Sequence, residues 1–329
     1  MIVTKRPAER KRATLRELSA ITGLSPAGVS YALRGQRVSA ATEQRVRAAA
    51  DRIGFRTDPV ARALRGGRTQ LVGVVGGSLA DLWHQQFVAG VQSALRRHGL
   101  RMVLADAAGD AGEEVAVARD LADQRVDGLI VLPIDPTAEG WHDVAARTPT
   151  VSVNASLETP AGAVRFDSEA GIELALEHLR ELGHRRIVAL GGGPHATPRR
   201  AGLRRVRCGP SMGEARAAAL RALRATQRPT AVFTLSDTVA YGVYAACRDL
   251  RLNVPEDLSV VGFDDIPVSA LLDPPLTVVG WDTDRAVDCA VEMLVEAIEG
   301  SAAGEIVIEP RLRVRDSTAA PLPSGRPRR

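Results

Sequence analysis

The apolar positions of the first 57 residues recur at helical spacing and are divided by capping residues. Three groups stand at intervals of three or four, a spacing that predicts three short helices; they are Leu15, Leu18 and Ile21, then Val29 and Leu33, then Val46, Ala49, Ala50 and Ile53. Thr14, Ser25 and Ser39 are suited to start these helices, while Gly23 and Gly54 are suited to end them. Two helices joined by a glycine-containing turn predict a helix-turn-helix.

Residues 58–67 have the pattern of a separate miniature helix. Asp58 is a capping residue, Pro59 stands at the first helical position and Gly66 is a terminator. Two turns are fewer than the roughly 12–15 residues that an isolated helix needs in water. We therefore expect this segment to be ordered only against a partner, with an ordinary capped linker helix as the alternative.

The rest of the chain alternates short apolar runs with amphipathic stretches. The runs lie at 71–76, 102–106, 128–133, 150–154, 163–166, 186–191, 231–235 and 258–262, with helices predicted near 169–182, 211–225 and 238–251. This βαβ rhythm, occurring in two halves, predicts an α/β bilobed body with parallel sheets and a cleft. Asp167, Asp237 and Asp264 follow predicted strands, and ligands bind at that edge of open parallel sheets.

The charge is distributed unevenly along the 329 residues. Residues 1–68 hold 15 Lys or Arg against 5 Asp or Glu, and the remainder holds 28 against 34. A basic front suits a polyanion through counterion release, although a solvated basic arm would look the same. The three cysteines lie far apart, no run is long enough to span a membrane, and no apolar stretch follows the basic N-terminus. We therefore expect a cytoplasmic protein without disulfides, cofactor or metal.

Seven short motifs are spread along nearly the whole chain: TLRELS at 14–19, TGLS at 22–25, VSYAL at 29–33, LGHRRI at 182–187, VPEDLSVVGFDD at 254–265, PLT at 275–277 and VRDST at 314–318. Together they resemble the lactose-repressor/galactose-repressor (LacI/GalR) family of bacterial transcriptional regulators. The resemblance implies a multi-domain chain: an all-α helix-turn-helix headpiece at 13–57, a hinge helix at 58–67 and an α/β bilobed, periplasmic-binding-protein-like effector domain at 68–318. A basic arm at 1–12 precedes them, and a disordered tail at 319–329 follows.

The resemblance also implies which residues contact DNA. The predicted set is Thr14, Ser25, Pro26, Ala27, Ser30, Tyr31, Arg34 and Arg56 in the headpiece, with Ala61 and Leu64 in the hinge. Leu64 matches the family's leucine that wedges between base steps in the minor groove. Pro26 and Ala27 replace side chains that hydrogen-bond bases in many members. We therefore expect DNA shape and the kink at Leu64 to carry more of the specificity than direct readout.

By the same likeness, the effector pocket is predicted to contain Asp167, Arg199, Asp237, Asp264 and Trp281. Carboxylates accept hydrogen bonds from sugar hydroxyls, and tryptophan can stack on a sugar ring. Each residue has a structural alternative, since strand-end aspartates often cap helices and Trp281 could be packing. Between residues 191 and 231 the chain is shorter than the family pattern, so we expect a strand and part of a helix to be missing and the second lobe to be altered.

These observations predict a regulator that is not an enzyme. It would bind double-stranded operator DNA as a homodimer, or as a tetramer, and respond to a sugar-like effector, in the cytoplasm with the nucleoid. A solute-binding protein without regulatory DNA binding is the alternative. An enzyme on the same fold is a third, which no arrangement of nucleophile and base in the sequence supports.

Overall fold

The computed structural model describes residues 13–33, 35–56, 67–157, 162–192, 203–301 and 304–322. The chain divides into two compact units, Met1–Thr69 and Gln70–Arg329. Arg34, Arg199, the basic arm and nearly all of the predicted hinge helix, with Ala61 and Leu64, lie outside the described residues. No helix in the part of the chain that is described is long and apolar enough to cross a membrane.

The first unit contains the three predicted helices, α1 (Leu15–Thr22), α2 (Pro26–Leu33) and α3 (Ala40–Ile53). The Thr14 side chain accepts from the backbone N–H of Glu17, whose carboxylate accepts from the N–H of Thr14, so α1 begins with a capping box. Gly23 and Gly54 end α1 and α3 in the left-handed region, at φ 70° and 67°. The buried side chains pack into one small core: Leu18, Val29, Ala32, Val46, Ala49, Ala50 and Phe55.

Ile21, one of the apolar positions that predict α1, does not belong to this core. Its side chain is 51% exposed, whereas Leu18 is fully buried. A helix turns about 100° per residue, so two steps of three residues place Ile21 about 120° away from Leu15 around the helix. Three apolar positions spaced by three therefore drift off a single buried face.

The first lobe of the second unit is built on a six-stranded sheet in the order β11-β5-β4-β3-β1-β2, where β11 is Glu305–Ile308, and all five strand pairs are parallel. Its elements are β1 (Leu71–Gly76), α4 (Leu82–Arg97), β2 (Arg101–Asp106), α5 (Ala111–Asp123), β3 (Gly128–Val131), α6 (Trp141–Arg147), β4 (Thr150–Asn154) and β5 (Gly162–Phe166). Every residue of β3 is buried, because helices cover both faces of the sheet.

The second lobe repeats this arrangement, with strand order β12-β10-β9-β8-β6-β7 and only the β10–β12 pair antiparallel. Its elements are α7 (Ser168–Glu181), β6 (Ile187–Leu190), β7 (Arg204–Val206), α8 (Met212–Leu223), β8 (Ala231–Thr234), α9 (Asp237–Leu250), β9 (Ser259–Asp264), a 3₁₀ turn (Pro267–Leu271), β10 (Thr277–Gly280) and β12 (Arg311–Arg313). α10 (Thr283–Ile298) and β11 (Glu305–Ile308) return to the first lobe, where α10 packs on β3, β4 and β5. The chain therefore crosses between the lobes three times.

Two predictions for the second lobe are corrected. The strand expected to be missing between residues 191 and 231 is present as β7, which pairs with β6 from Val188↔Arg204 to Leu190↔Val206. It escaped prediction because an edge strand of sequence Arg-Arg-Val has no apolar run. Ala319, assigned to the tail, is ordered instead: its N–H donates to Ser259 Oγ over 3.1 Å, and its carbonyl accepts from Ser259. The rest of the predicted disordered tail, from residue 323, lies outside the described residues.

Candidate nucleic-acid interface and ligand cleft

The start of α2 carries five of the predicted DNA-contact residues and is exposed to solvent. Ser25, Pro26 and Ala27 are exposed, and Ser30 and Tyr31 are half-buried one turn further on. Ser25 Oγ accepts from the backbone N–H of Gly28 over 3.1 Å, so this hydroxyl also caps the helix. The exposed surface thus offers hydroxyl groups and one phenol, with no amide or carboxylate among these five side chains.

Cationic groups border the same unit. The Arg37 guanidinium carbon lies 5.4 Å from the centroid of the Tyr31 ring, which is the distance of a cation–π contact. Arg56 is exposed just after α3, and Thr14, exposed at the start of α1, is that helix's cap. This arrangement is able to contact a phosphate backbone.

Asp237 is the first residue of α9 and is almost entirely buried, at 1% exposure. Its Oδ2 accepts from the Ile266 N–H over 2.9 Å and from Ser269 Oγ over 2.5 Å, and the Tyr241 hydroxyl lies 2.8 Å from the same Ser269 oxygen. Burial raises the pKa of Asp237 to about 7. Asp237 therefore holds the turn after β9 in place, while Ser236 caps the helix.

That turn presents Asp264, which is half-buried at the carboxyl end of β9 with φ 109°. Trp281 Nε1 donates to Asp264 Oδ1 over 3.3 Å, so two predicted pocket residues are in contact. Burial, and then the negative charges of Asp81 and Asp237, raise the pKa of Asp264 well above its ordinary value. The next residue, Asp265, is instead paired with arginine, since its oxygens lie 2.6 Å from Arg315 Nη2 and 3.0 Å from Arg313 Nε.

The first lobe contributes Asp81, which the sequence analysis did not select. Asp81 caps α4 by accepting from the Trp83 N–H over 2.8 Å, and it is 6% exposed. The N–H of Leu82 donates to Thr238 Oγ1 over 3.1 Å, so the starts of α4 and α9 meet across the cleft. The cleft therefore brings together three carboxylates, one from the first lobe and two from the second.

Aromatic rings form the wall beside these carboxylates. The Trp281 centroid lies 4.9 Å from that of Phe166 and 5.3 Å from that of Phe263, and Phe166 lies 5.3 Å from Trp83. The described residues contain three buried side-chain polar atoms without a hydrogen-bond partner, and all three belong to this region: Trp83 Nε1, His84 Nδ1 and Asp237 Oδ1. Burial lowers the pKa of His84 despite the nearby Asp81 and Asp106, so the imidazole is kept neutral.

Asp167, another predicted pocket residue, makes a structural contact at the start of a helix. Asp167 accepts from the Ala170 N–H over 3.0 Å and so caps α7, directly after Phe166. Its predicted effector role is not supported by any cleft contact in the described residues. Asp237, Asp264 and Trp281 are brought together, while Asp81, Trp83 and Phe166 were missed. The strand-end argument selected Asp167 after β5 but not Phe166 beside it, and in the sequence Asp81 and Trp83 look like the ordinary start of a helix.

The comparisons with known proteins agree with this architecture. Residues 176–318 match a family model described as a periplasmic binding protein-like domain. The transcriptional repressor PurR of Vibrio vulnificus (strain CMCP6) is 30% identical over 333 residues, which cover 93% of this chain and 98% of that protein. The chain belongs to the LacI family of transcriptional repressors.

Other LacI-family members match over a similar extent. The ribose operon repressor of Escherichia coli K12 is 28% identical over 308 residues, covering 87% of this chain and 93% of that protein. A Lac repressor dimer bound to operator and the anti-inducer ONPF superposes with a TM-score of 0.80 at 26% identity, covering 94% of this chain and all of that one. These relatives are repressors, so the chain is a transcriptional regulator and not an enzyme.

Proposed function

We propose that this LacI-family chain is a homodimeric operator-binding repressor whose affinity for DNA is set by a small polar metabolite in the cleft. The observation that carries the proposal is the pairing of a helix-turn-helix unit, with its α2 surface exposed, and a two-lobed body that gathers carboxylates and aromatic rings between its sheets. Because operators are chromosomal, we place the protein in the cytoplasm with the nucleoid. A tetramer is the other assembly to be measured.

We assign DNA contact to the start of α2 and to the cations around it. Ser25 and Ser30 are placed against phosphates, Ala27 against a thymine methyl and Tyr31 against a base edge. Pro26 has no hydrogen-bond donor to offer to DNA. Arg34 and Arg56 are assigned to phosphates, and Thr14 is assigned a DNA contact at the N-terminal end of α1. Ala61 and Leu64 are assigned to the hinge, where Leu64 opens a base step.

Effector contact is assigned to Asp264 and Trp281, with Asp167 and Arg199 kept as candidates. Asp237 acts on the ligand through the turn that it holds, because its described hydrogen bonds go to Ile266 and Ser269. A sugar-like ligand fits these groups, since carboxylates accept from hydroxyls and an indole covers a ring face. Relatives named for ribose and lac operons favour the same ligand class.

Binding of effector and binding of operator would be coupled. Such coupling is typically about 1–3 kcal/mol and is reciprocal, so operator must change effector affinity by the same factor as effector changes operator affinity. This reciprocity can be tested with the full chain by measuring operator affinity with and without effector, and effector affinity with and without operator.

The operator is first identified by selecting fragments from random DNA and confirmed by fluorescence anisotropy. We expect Arg56→Ala to weaken binding uniformly across sequences and to reduce the salt slope by about one. Leu64→Ala is expected to reduce operator bending, and Arg119→Ala, an exposed arginine on α5, serves as the control. Binding that shows neither sequence preference nor dependence on Arg56 and Leu64 would exclude the proposal. Sedimentation of the complex gives the assembly.

A further inference from the structure

Neighbouring aspartates at the end of β9 have opposite electrostatic surroundings. Asp265 forms ion pairs with Arg313 and Arg315, so its negative charge is neutralised within the protein. Asp264, one residue earlier, is influenced instead by Asp81 and Asp237, two further carboxylates. Among the described residues, no basic side chain contributes to the shift of the Asp264 pKa.

The other polar groups around Asp264 do not supply a positive charge. Tyr241 is tied to Ser269 beside Asp237, and Trp281 donates a neutral N–H to Asp264. His84 lies near Asp81, but burial lowers the pKa of its imidazole. The carboxyl groups of an unbound cleft therefore hold their protons more tightly than isolated carboxyl groups do, and a cation bound beside them would favour their charged forms.

A second observation concerns a donor that lacks an acceptor. Trp83 is 6% exposed, and its Nε1 has no hydrogen-bond partner in the described residues, although an indole N–H normally finds one when buried. An oxygen on a ligand would satisfy it. The nearby face of Trp281, which is half-buried and packed edge-on against Phe263, is able to cover an apolar ring face and also to attract a cation.

We propose that the effector is a polyhydroxy amine, of which an amino sugar is the simplest example. Its ammonium group binds beside Asp264 and Asp81, one of its oxygens accepts from Trp83 Nε1, and its ring lies against Trp281. This inference rests on the proposed function, since it names the ligand class of the same cleft. It also predicts discrimination, because a sugar phosphate places a further anion beside these carboxyl groups and a neutral sugar brings no positive charge to them.

Matched sugars test the ammonium group by itself. Glucosamine, galactosamine and mannosamine are compared by calorimetric titration of the full chain with glucose, galactose and mannose, with the N-acetylated amines and with the 6-phosphates. We expect at least one amine to bind about tenfold or more tightly than its hydroxyl, acetamido and phosphate counterparts, which is the ratio for a hydrogen bond between charged partners.

Substitutions of single aspartates test which carboxyl groups produce the preference for an amine. Asp264→Asn is expected to remove most of the tenfold preference for the amine while changing affinity for the neutral parent far less, and Asp81→Asn to reduce it in part. Asp120→Asn, an exposed aspartate on α5, is the matched control and should leave the preference unchanged. Tryptophan fluorescence and unfolding midpoints of each variant verify that the cleft is folded.

Three outcomes would overturn the inference. The first is that a neutral or phosphorylated sugar binds better than every amine, and the second is that all members fail to bind. The third is that the preference for an amine exists only in Arg199→Gln, which would show that the chain supplies its own cation from outside the described residues. Operator binding, measured on the same preparation and regulated by whichever metabolite does bind, would leave the proposed function intact in each case. Loss of sequence-selective DNA binding would remove the proposed function instead.

Discussion

Replacing Asp237 with asparagine is expected to change how the stability of the body depends on pH. Burial raises the pKa of Asp237 to about 7 from an ordinary value of 3.8. Between these two values the folded state keeps a proton that the unfolded state has released. Stability conferred by this group is therefore lost as pH rises from about 4 to about 7, which is the opposite of the usual behaviour of a paired carboxylate.

The magnitude follows from the size of that interval. One pKa unit corresponds to about 1.4 kcal/mol, so the wild-type protein should lose up to about 4 kcal/mol relative to Asp237→Asn across the whole interval. The hydrogen bonds from Ile266 and Ser269 to Oδ2 are available to the asparagine oxygen as well, so the variant preserves the acceptor while removing the charge.

The assay is urea unfolding at half-unit steps of pH, followed by tryptophan fluorescence. All three tryptophans, Trp83, Trp141 and Trp281, belong to the body, so the signal reports on the unit in question. Asp120→Asn is the control for loss of a surface charge. Parallel pH profiles for wild type and Asp237→Asn would refute the reasoning, because they would mean that Asp237 titrates alike in both states.

Three further experiments test the packing and the titration of one buried histidine. Leu18→Ala should destabilise the first unit by about 3 kcal/mol and abolish operator binding, whereas Ile21→Ala should change stability by less than about 0.5 kcal/mol; circular dichroism measures both, and equal effects would contradict the core described. Gly242→Ala should destabilise the body by about 1–3 kcal/mol, because a Cβ there would lie 2.5 Å from the Ala215 Cβ, while Gly213→Ala, in open space, should be neutral or stabilising in the same unfolding assay. Burial lowers the pKa of His184, so the neutral ring is favoured in the folded state and stability should fall as pH drops below about 6.5; His184→Gln should flatten this acid limb of the thermal midpoint, and an unchanged limb would exclude the histidine as its source.

Much of the fold could be predicted because the central strands are buried on both faces. β1 and β4 were predicted to the residue, and the predicted helices end within two residues of α7, α8 and α9. The elements that escaped have physical reasons. β7 and β12 are three-residue edge strands that carry arginines, and α6 has Gly140 at its N-cap and so lacks a side-chain cap.

The site was predicted only in part, for a different reason. Asp237 and Asp264 follow strands, so the sequence pattern selects them, but it does not distinguish a residue that holds a turn from one that faces the cleft. Asp81 looks like an ordinary helix cap, and it is one. Only the three-dimensional meeting of α4 with α9 shows that this cap also faces the carboxylates of the other lobe.

Trp281 stands one residue before Asp282, the residue whose side chain caps α10 by accepting from the Arg285 N–H. A cleft side chain on the second sheet is thus covalently continuous with a 16-residue helix embedded in the first lobe. A shift of the backbone at Trp281 would therefore pass through a single peptide bond to the residue that caps this helix.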